Sequence, residues 1–194
     1  MNFRQVVKVS EDRIGVIIGK NGKVKGEIEE KCGVKIDIDS ESGDAVISSN
    51  SLKAINEMEP FKAVEIVSAI SKGFSPQRAY KLLKDQDTFQ LIDLRMYGGK
   101  KSSNSIQRIK GRIIGEAGKS RKTIEELSGA SISVYGHYVG LIGTLEEIKL
   151  AADAVTLLST GKTHRIVYNI LQDARRKAKI NRIRLWEDNS HNVD

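Results

Sequence analysis

The chain has 194 residues, with 32 Lys and Arg against 25 Asp and Glu, which gives a formal net charge of +7. Its single cysteine, Cys32, excludes an intrachain disulfide and a zinc site built on cysteines. No apolar run approaches the ~20 residues of a membrane span, and the first ten residues lack a signal-peptide core, so we expect a cytoplasmic protein. The positive charge leaves nucleic acid and anionic membranes open as partners.

The first 72 residues predict a small mixed α and β domain. Alternating apolar residues predict a strand over residues 3–9, and Ser10 can cap a short helix that ends at Ile18. A helix is predicted over residues 23–32, followed by strands over 34–38 and 45–48 with a turn at 42–44. Helical spacing then predicts another helix, with Pro60 in its first turn.

The same order of elements returns later in the chain. A short linking helix is predicted over residues 75–83, with Ser75 as its cap and Pro76 at its first position. Strand 89–94, helices 105–114 and 119–128, and strands at 132–134 and 138–142 follow. Helices over residues 144–159 and 163–179 complete the pattern.

An internal repeat underlies this order. Residues 15–38 and 111–134 align without a gap, and 11 of the 24 positions are identical. Both contain the motif Ile-Ile-Gly-x-x-Gly. Its last four residues are called the first loop in the first repeat (Gly19, Lys20, Asn21 and Gly22) and the second loop in the second repeat (Gly115, Glu116, Ala117 and Gly118). The offset of 96 residues is too long for a solenoid, so the repeat predicts two copies of one small domain.

Each loop is predicted to join two helices and to lie at the N-terminus of the second. Glycine lets the backbone turn tightly and lets a ligand approach closely. Unpaired N–H groups and the positive end of the helix favour a phosphate there.

This order of elements around a GxxG loop resembles the type I KH domain. The resemblance implies an α+β fold of two tandem β-α-α-β-β-α domains, each a three-stranded antiparallel sheet covered by helices, with a helical C-terminal extension. We predict a first KH domain over residues 1–72 (the first copy), a helical linker over 73–87, a second KH domain with its extension over 88–185 (the second copy), and a flexible tail over 186–194. The resemblance further implies that each loop clamps about four single-stranded nucleotides.

The candidate RNA contacts are the loops with their neighbouring cations and apolar residues. In the first copy they are Arg13, Ile18, Gly19, Lys20, Asn21, Gly22, Lys23, Lys25 and Ile36. In the second copy they are Arg108, Lys110, Gly111, Arg112, Ile114, Gly115, Glu116, Ala117, Gly118, Lys119, Arg121, Lys122 and Ile132. The resemblance also implies an apolar platform for bases, for which we take Ile17, Ile28, Ile36, Ile113, Ile124 and Ile132.

The two copies differ in charge. Residues 10–26 carry four cations against two carboxylates, whereas residues 106–122 carry six cations against Glu116 alone. Over longer ranges, residues 1–72 have a net charge of −1 and residues 73–194 a net charge of +8. Because phosphate contacts come largely from such side chains, we predict that the second copy binds RNA more strongly, although Glu116 opposes a phosphate.

The whole chain resembles an archaeal family of two-KH-domain proteins related to the eukaryotic assembly factor that partners the endonuclease maturing the 3′ end of small-subunit rRNA. The resemblance is carried by Gly73-Phe74-Ser75-Pro76, Ile92-Asp93-Leu94, residues 132–136 and Val167-Tyr168. It implies binding to the 3′ region of 16S rRNA in ribosome biogenesis. It also implies contacts with the alpha subunit of translation initiation factor 2 and with the endonuclease.

Two other functions stay open. One is a protein-interaction adaptor, in which a copy of the domain docks a protein. The other is an enzyme, because residues 113–120 end like a phosphate-binding P-loop, but Ile113 replaces the first glycine and a helix precedes where a strand is needed. We therefore expect no catalysis, metal or cofactor. A basic run over residues 175–184 is either an RNA contact or a solvated helix face.

Overall fold

The computed structural model describes residues 3–49, 59–97 and 103–190, the last ten of them by their backbone alone. The elements of the first copy are β1 (Phe3–Lys8), α1 (Glu11–Ile18), α2 (Lys23–Cys32), β2 (Lys35–Asp39), β3 (Asp44–Ser49) and α3 (Glu59–Ser71). Its strands form an antiparallel sheet in the order β1-β3-β2. Pro60 lies at the second position of α3, as predicted.

The linker and the second copy continue the chain. A short helix α4 (Pro76–Ala79) and a 3₁₀ turn (Tyr80–Leu83) precede β4 (Thr88–Asp93), α5 (Ser103–Ile114), α6 (Lys119–Ser128), β5 (Ser131–Tyr135), β6 (Tyr138–Gly143), α7 (Leu145–Ser159) and α8 (His164–Ser190). The strands are ordered β4-β6-β5, which matches the order in the first copy. The predicted α+β class and its repeated element order are confirmed.

The alternation of buried and exposed residues along the strands shows which face of each sheet packs in the core. In the first sheet Ile36 is paired with Ile47 and both are fully buried, while Lys35 and Asp37 on either side of Ile36 are exposed. In the second sheet Ile132 pairs with Leu141, and both are also buried. Apolar helix faces supply the rest of the core because their buried residues recur at helical spacing, as with Ile66, Val67 and Ile70 in α3.

Contacts divide the chain into two compact units. The first unit comprises residues 1–92 and 131–145, and the second comprises residues 93–130 and 146–194. In the first unit the linker packs on the β5–β6 hairpin: a Cβ on Gly140 would lie 2.8 Å from a ring carbon of Phe74, and the Phe74 and Phe89 rings meet edge to face. This division does not follow the repeat, and the domain boundaries stay a prediction.

Two local expectations are wrong. Ser10 precedes α1 but its hydroxyl makes no capping bond; it lies 2.8 Å from the Tyr135 hydroxyl, a partner 125 residues away. The last helix, α8, does not end at Lys179 but continues to Ser190, because no Gly or Pro interrupts a run of good helix formers. The predicted tail is therefore helical as far as Ser190, and residues 191–194 lie outside the described residues.

Candidate nucleic-acid interface

The two GxxG loops have nearly the same backbone. The first glycine has φ 71° and ψ 175° in Gly19 and φ 72° and ψ 176° in Gly115. The last glycine has φ 75° in Gly22 and φ 78° in Gly118, and each directly precedes a ten-residue helix. The repeat seen in the sequence is therefore a repeat in geometry, and each loop lies at a helix N-terminus as predicted.

Within each loop the two glycines are needed for different reasons. A Cβ on Gly19 would lie 2.5 Å from Val24 Cγ2, and a Cβ on Gly115 would lie 2.7 Å from Ser120 Cβ. A Cβ on Gly22 or Gly118 would meet no atom within 4 Å. The first glycine thus allows the loop to pack on its own helix, whereas the last leaves open backbone on the outside.

The middle of each loop is strained. Asn21 has φ 54° and Ala117 has φ 48°, and they are the non-glycine residues with positive φ in the described part of the chain. Asn tolerates this left-handed conformation, but for Ala it costs about 1 kcal/mol or more. Strain that recurs at the same position in both copies indicates that the loop shape itself is required.

An open glycine also occurs within the helix before each loop. Gly15 in α1 and Gly111 in α5 are exposed, and a Cβ on either would meet nothing within 4 Å. Glycine inside a helix costs about 1 kcal/mol relative to alanine. Packing within the protein explains neither residue, and both lie one turn before the loop.

The cations of the first copy are largely engaged. Lys23 lies 3.9 Å from Glu27 and Lys25 lies 3.8 Å from Glu29, so two of the predicted RNA contacts sit beside carboxylates. Lys20 at the loop itself is exposed.

Arg13 corrects the prediction for the first copy. Its Nε donates to the Ile70 carbonyl at 2.9 Å, and its Nη2 donates to the Phe74 carbonyl at 2.6 Å. The guanidinium is partly buried and holds the end of α3 and the start of the linker. It is a structural residue in this conformation and not a contact for RNA.

The second copy presents more of its cations. Arg108, Lys119 and Lys122 are exposed, and Lys110 and Arg121 are half-buried. Arg112 is half-buried and donates to the Lys162 carbonyl, while its own carbonyl lies 2.8 Å from His164 Nε2. Glu116 is exposed, so solvent screens its carboxylate.

The predicted apolar platform is largely wrong. Ile17, Ile36, Ile113, Ile124 and Ile132 have no exposed surface and Ile28 has 1%, so all six are core residues. Ile36 and Ile132 therefore cannot contact a base in this conformation. Ile18 and Ile114, which directly precede the loops, are half-buried and keep some surface available.

Some surface residues of the first copy escaped the prediction. Val24, the residue that faces Gly19, and Ile38, two residues after Ile36 in β2, are only partly buried against the core. The prediction missed both residues because it favoured apolar residues that are identical in the two copies. The residues of the second copy that match them are Ser120 and Val134. The local signal was present: each is an apolar residue beside the loop or at the end of the alternating strand.

Family models match both halves of the chain. A KH domain model matches residues 4–58, and a model described as the eukaryotic type KH-domain, KH-domain type I, matches residues 88–176. A KH domain-containing protein of Methanocaldococcus jannaschii is 41% identical over 186 residues, which cover 96% of this chain and 80% of that protein. This chain belongs to the archaeal two-KH-domain family.

Relatives of this family extend to eukaryotes and to solved structures. The pre-rRNA-processing protein pno1 of Schizosaccharomyces pombe is 32% identical over 122 residues, which cover 61% of this chain and 49% of that protein. A chain of the a/eIF2alpha-aDim2p-rRNA complex from Pyrococcus horikoshii has a TM-score of 0.84 and 40% identity, over 91% of this chain and 96% of that one. The archaeal two-KH-domain family is thus related to a eukaryotic pre-rRNA-processing protein, as the sequence resemblance implied.

Two features are absent from the described residues. None of their helices has the length and apolar character to cross a bilayer. Nor do they bring together three or more His, Cys, Asp or Glu side chains in a group that could hold a metal ion.

Proposed function

We propose that this protein binds single-stranded RNA, chiefly through the second loop. The observation that carries the proposal is the open backbone at Gly111 and Gly118, where a side chain would meet nothing of the protein. Gly118 precedes the N-terminus of α6, whose first N–H groups and positive dipole end suit a phosphate. A nucleotide backbone can approach there as closely as the missing Cβ atoms allow.

Charge favours the second copy over the first. The exposed Lys119 and Lys122 and the half-buried Arg121 follow the second loop within its first helical turn. In the second copy Arg121 and Lys122 have glutamates four residues later, but Lys119 has Thr123 at that spacing. In the first copy the corresponding helix begins with Lys23 and Lys25, and both lie beside a glutamate four residues later. Such i,i+4 pairs lower the positive potential that a phosphate would meet.

The RNA we propose is the 3′ region of 16S rRNA during small-subunit biogenesis. The proposal is supported by the pre-rRNA-processing relative and by the solved complex that contains rRNA. The same complex contains a/eIF2alpha, which we propose as a protein partner together with the rRNA maturation endonuclease. On this view the protein acts in the cytoplasm by binding, without catalysis and without a cofactor.

Charge-changing substitutions in or beside the two loops test the assignment. Asp tolerates the left-handed conformation, so Ala117→Asp keeps the loop shape and places a carboxylate against the phosphate. We expect Ala117→Asp, or Lys119→Glu with Arg121→Glu, to weaken binding of a 16S 3′-end oligonucleotide more than Lys20→Asp with Asn21→Asp. Fluorescence anisotropy over a salt series gives the affinities, and each lost phosphate contact should lower the salt slope by about 0.7. A larger loss from the first-loop variant would reverse the ranking, and no RNA affinity at low salt would refute RNA binding.

A second function, protein docking, is favoured for the first copy by one observation. Arg13, Lys23 and Lys25 are structural or paired, which leaves Lys20 at the loop, and residues 1–72 have a net charge of −1, so this half is poorly suited to a polyanion. Titration of a/eIF2alpha against the two loop variants tests it. Loss of that binding only in the Lys20→Asp, Asn21→Asp variant would assign docking to the first loop, and equal binding by both variants would exclude it.

A further inference from the structure

Helix α8 is anchored at its start and then leaves the body of the second unit. Val167 and Leu171 are 0% and 1% exposed, and Ala174 on the same face is half-buried. Ala178 continues that face one turn later and is exposed. Every described side chain from Arg175 to Ile180 is exposed, so nothing in the described part of the protein covers this stretch.

The point of departure is fixed by two contacts. His164, the first residue of α8, has its Nε2 2.8 Å from the Arg112 carbonyl, three residues before Gly115. Eleven residues later Arg175 donates to the Glu126 carbonyl at 3.2 Å, near the C-terminus of α6. Eleven residues of helix span about 16 Å, so the exposed segment begins roughly that far from the approach to the second loop.

The exposed segment is strongly and uniformly positive. At 100° per residue, Arg176, Lys177 and Lys179 fall within an arc of about 160° around the helix axis, so positive charge covers nearly half of the circumference of the helix. Within the described side chains, none of the three forms an ion pair. The sequence continues with Arg182 and Arg184, whose side chains lie outside the described ones, and has no acidic residue from 174 to 186.

We infer that residues 175–180 of α8 form a second RNA contact, which binds the phosphates of a base-paired segment next to the single strand held by the second loop. This inference rests on the proposed function. Charge over nearly half of a rod suits the groove of a double helix, whose two strands present phosphates on both sides of a rod that lies in it. A flat protein surface would reach only the middle of that arc. The separation of about 16 Å leaves room for the roughly four nucleotides that a KH loop holds.

A bound partner would also stabilise the helical conformation of the exposed segment. An isolated helix of about 12 residues is marginal in water, and the described side chains of α8 from Arg175 to Ile180 are all exposed, so packing does not stabilise this stretch. Adjacent like charges weaken it further. Phosphates between those charges would remove the repulsion and stabilise the helix.

The test compares two RNAs and two triple variants of the full chain. One RNA is the bare 16S 3′-end oligonucleotide, and the other carries a hairpin stem joined to that strand, prepared with the stem on either side. The variant is Arg176→Glu, Lys177→Glu, Lys179→Glu. The control, Lys35→Glu, Lys84→Glu, Lys149→Glu, changes the net charge equally at exposed lysines that are part of neither α8 nor the two loops. Affinities are measured by anisotropy between 50 and 300 mM salt, and circular dichroism checks the helix content.

We expect the wild-type chain to bind one stem-bearing RNA at least tenfold more tightly than the bare strand. The α8 variant should lose this tenfold preference, and its salt slope for the stem-bearing RNA should be lower by about 2.7, which corresponds to three duplex contacts. It should bind the bare strand as tightly as the control does. Equal losses for both RNAs would show that α8 follows the single strand. No loss for either, or the same loss in the control, would also overturn the inference and leave an acidic protein as the partner to test.

The outcomes separate the inference from the proposed function. If the chain binds the bare strand but gains nothing from a stem, the inference fails and the function stands. If it does not bind the bare strand but binds a stem in a manner that depends on α8, the proposed loop function fails and the helix contact stands.

Discussion

The Tyr135 hydroxyl donates a hydrogen bond to the Asp12 carboxylate, with oxygen distances of 2.7 and 2.8 Å. Tyr135 ends β5 of the second copy, and Asp12 lies in the first turn of α1 of the first copy, 123 residues away. The Ser10 hydroxyl completes the cluster at 2.8 Å from the Tyr135 oxygen, and the Arg13 guanidinium lies 6.0 Å from the ring centre. The helix that leads to the first loop is therefore tied directly to a strand of the second copy.

This contact predicts a pH-dependent loss of stability in Tyr135→Phe. The hydrogen bond from Tyr135 holds the pKa of Asp12 below its ordinary value of 3.8. A carboxyl whose pKa is lower in the folded state stabilises the fold above its unfolded pKa and loses that contribution as the pH falls through the folded pKa. Tyr135→Phe should therefore unfold at lower urea than wild type at pH 7, and the gap should narrow below about pH 4.

A second tyrosine supplies the control. The Tyr97 hydroxyl lies 3.1 Å from Thr156 Oγ1, a neutral partner. Tyr97→Phe should also lower the urea midpoint, but its difference from wild type should not narrow between pH 7 and pH 3. If both differences follow the same course with pH, the Asp12 contact is not the source of the effect.

The sequence was sufficient for features that depend on neighbouring residues and insufficient for features that depend on distant ones. The strands, the helices and the two loops follow from local periodicity and from the repeat. Arg13 was misassigned because its carbonyl partners lie 57 and 61 residues away and no local pattern indicates them. Ile36 and Ile132 were misassigned for a different reason. Alternation shows that each lies on one face of its strand, but it does not show whether that face lines an RNA-binding groove or packs in the core.

Because the two glycines of a loop have different roles, replacing each by alanine should lower the stability of the protein by different amounts. Gly118→Ala adds only the strain of a positive φ, about 1 kcal/mol, and fills open space. Gly115→Ala adds a larger strain, because φ 72° with ψ 176° is a conformation essentially restricted to glycine, and it places a Cβ 2.8 Å from the Ser120 backbone nitrogen, so the loss of stability should reach about 2–4 kcal/mol. Urea unfolding measures both losses. Gly118→Ala should stay folded and lose RNA affinity, and unimpaired RNA binding in this variant would argue against a ligand at the open backbone.

The open helical glycine predicts a variant in which stability and binding change in opposite directions. Gly111→Ala should raise the unfolding free energy by about 1 kcal/mol, because alanine is the better helix former and the added Cβ meets nothing. If RNA passes over this turn, the same variant should bind RNA more weakly. Gly26→Ala in α2 is the control, since its Cβ also meets nothing and it lies outside the candidate contacts. It should gain similar stability and leave RNA binding unchanged.

Two buried serines in α6 predict opposite responses to alanine. The Ser120 side chain is 3% exposed, and its hydroxyl is buried without a hydrogen-bond partner among the described residues, where the first copy has Val24. Ser120→Ala removes an unsatisfied polar group and should raise the unfolding free energy by about 1 kcal/mol. The Ser128 hydroxyl donates to the Ile124 carbonyl at 2.7 Å and accepts from the Ala130 N–H at 3.3 Å. Ser128→Ala should therefore lower the unfolding free energy by about 1–2 kcal/mol.

The comparison of Ser120→Ala with Ser128→Ala also bears on the second loop. Ser120 lies directly beneath Gly115. A buried hydroxyl without a partner lowers the stability of the folded protein, so we expect its role to lie in an interaction with a ligand. If Ser120→Ala stabilises the protein and weakens RNA binding, the hydroxyl finds its partner when the loop engages a nucleotide. If the variant stabilises the protein and leaves RNA binding and its salt slope unchanged, Ser120 is only a less favourable counterpart of Val24. A loss of stability would show that the hydroxyl already has a partner in the free protein.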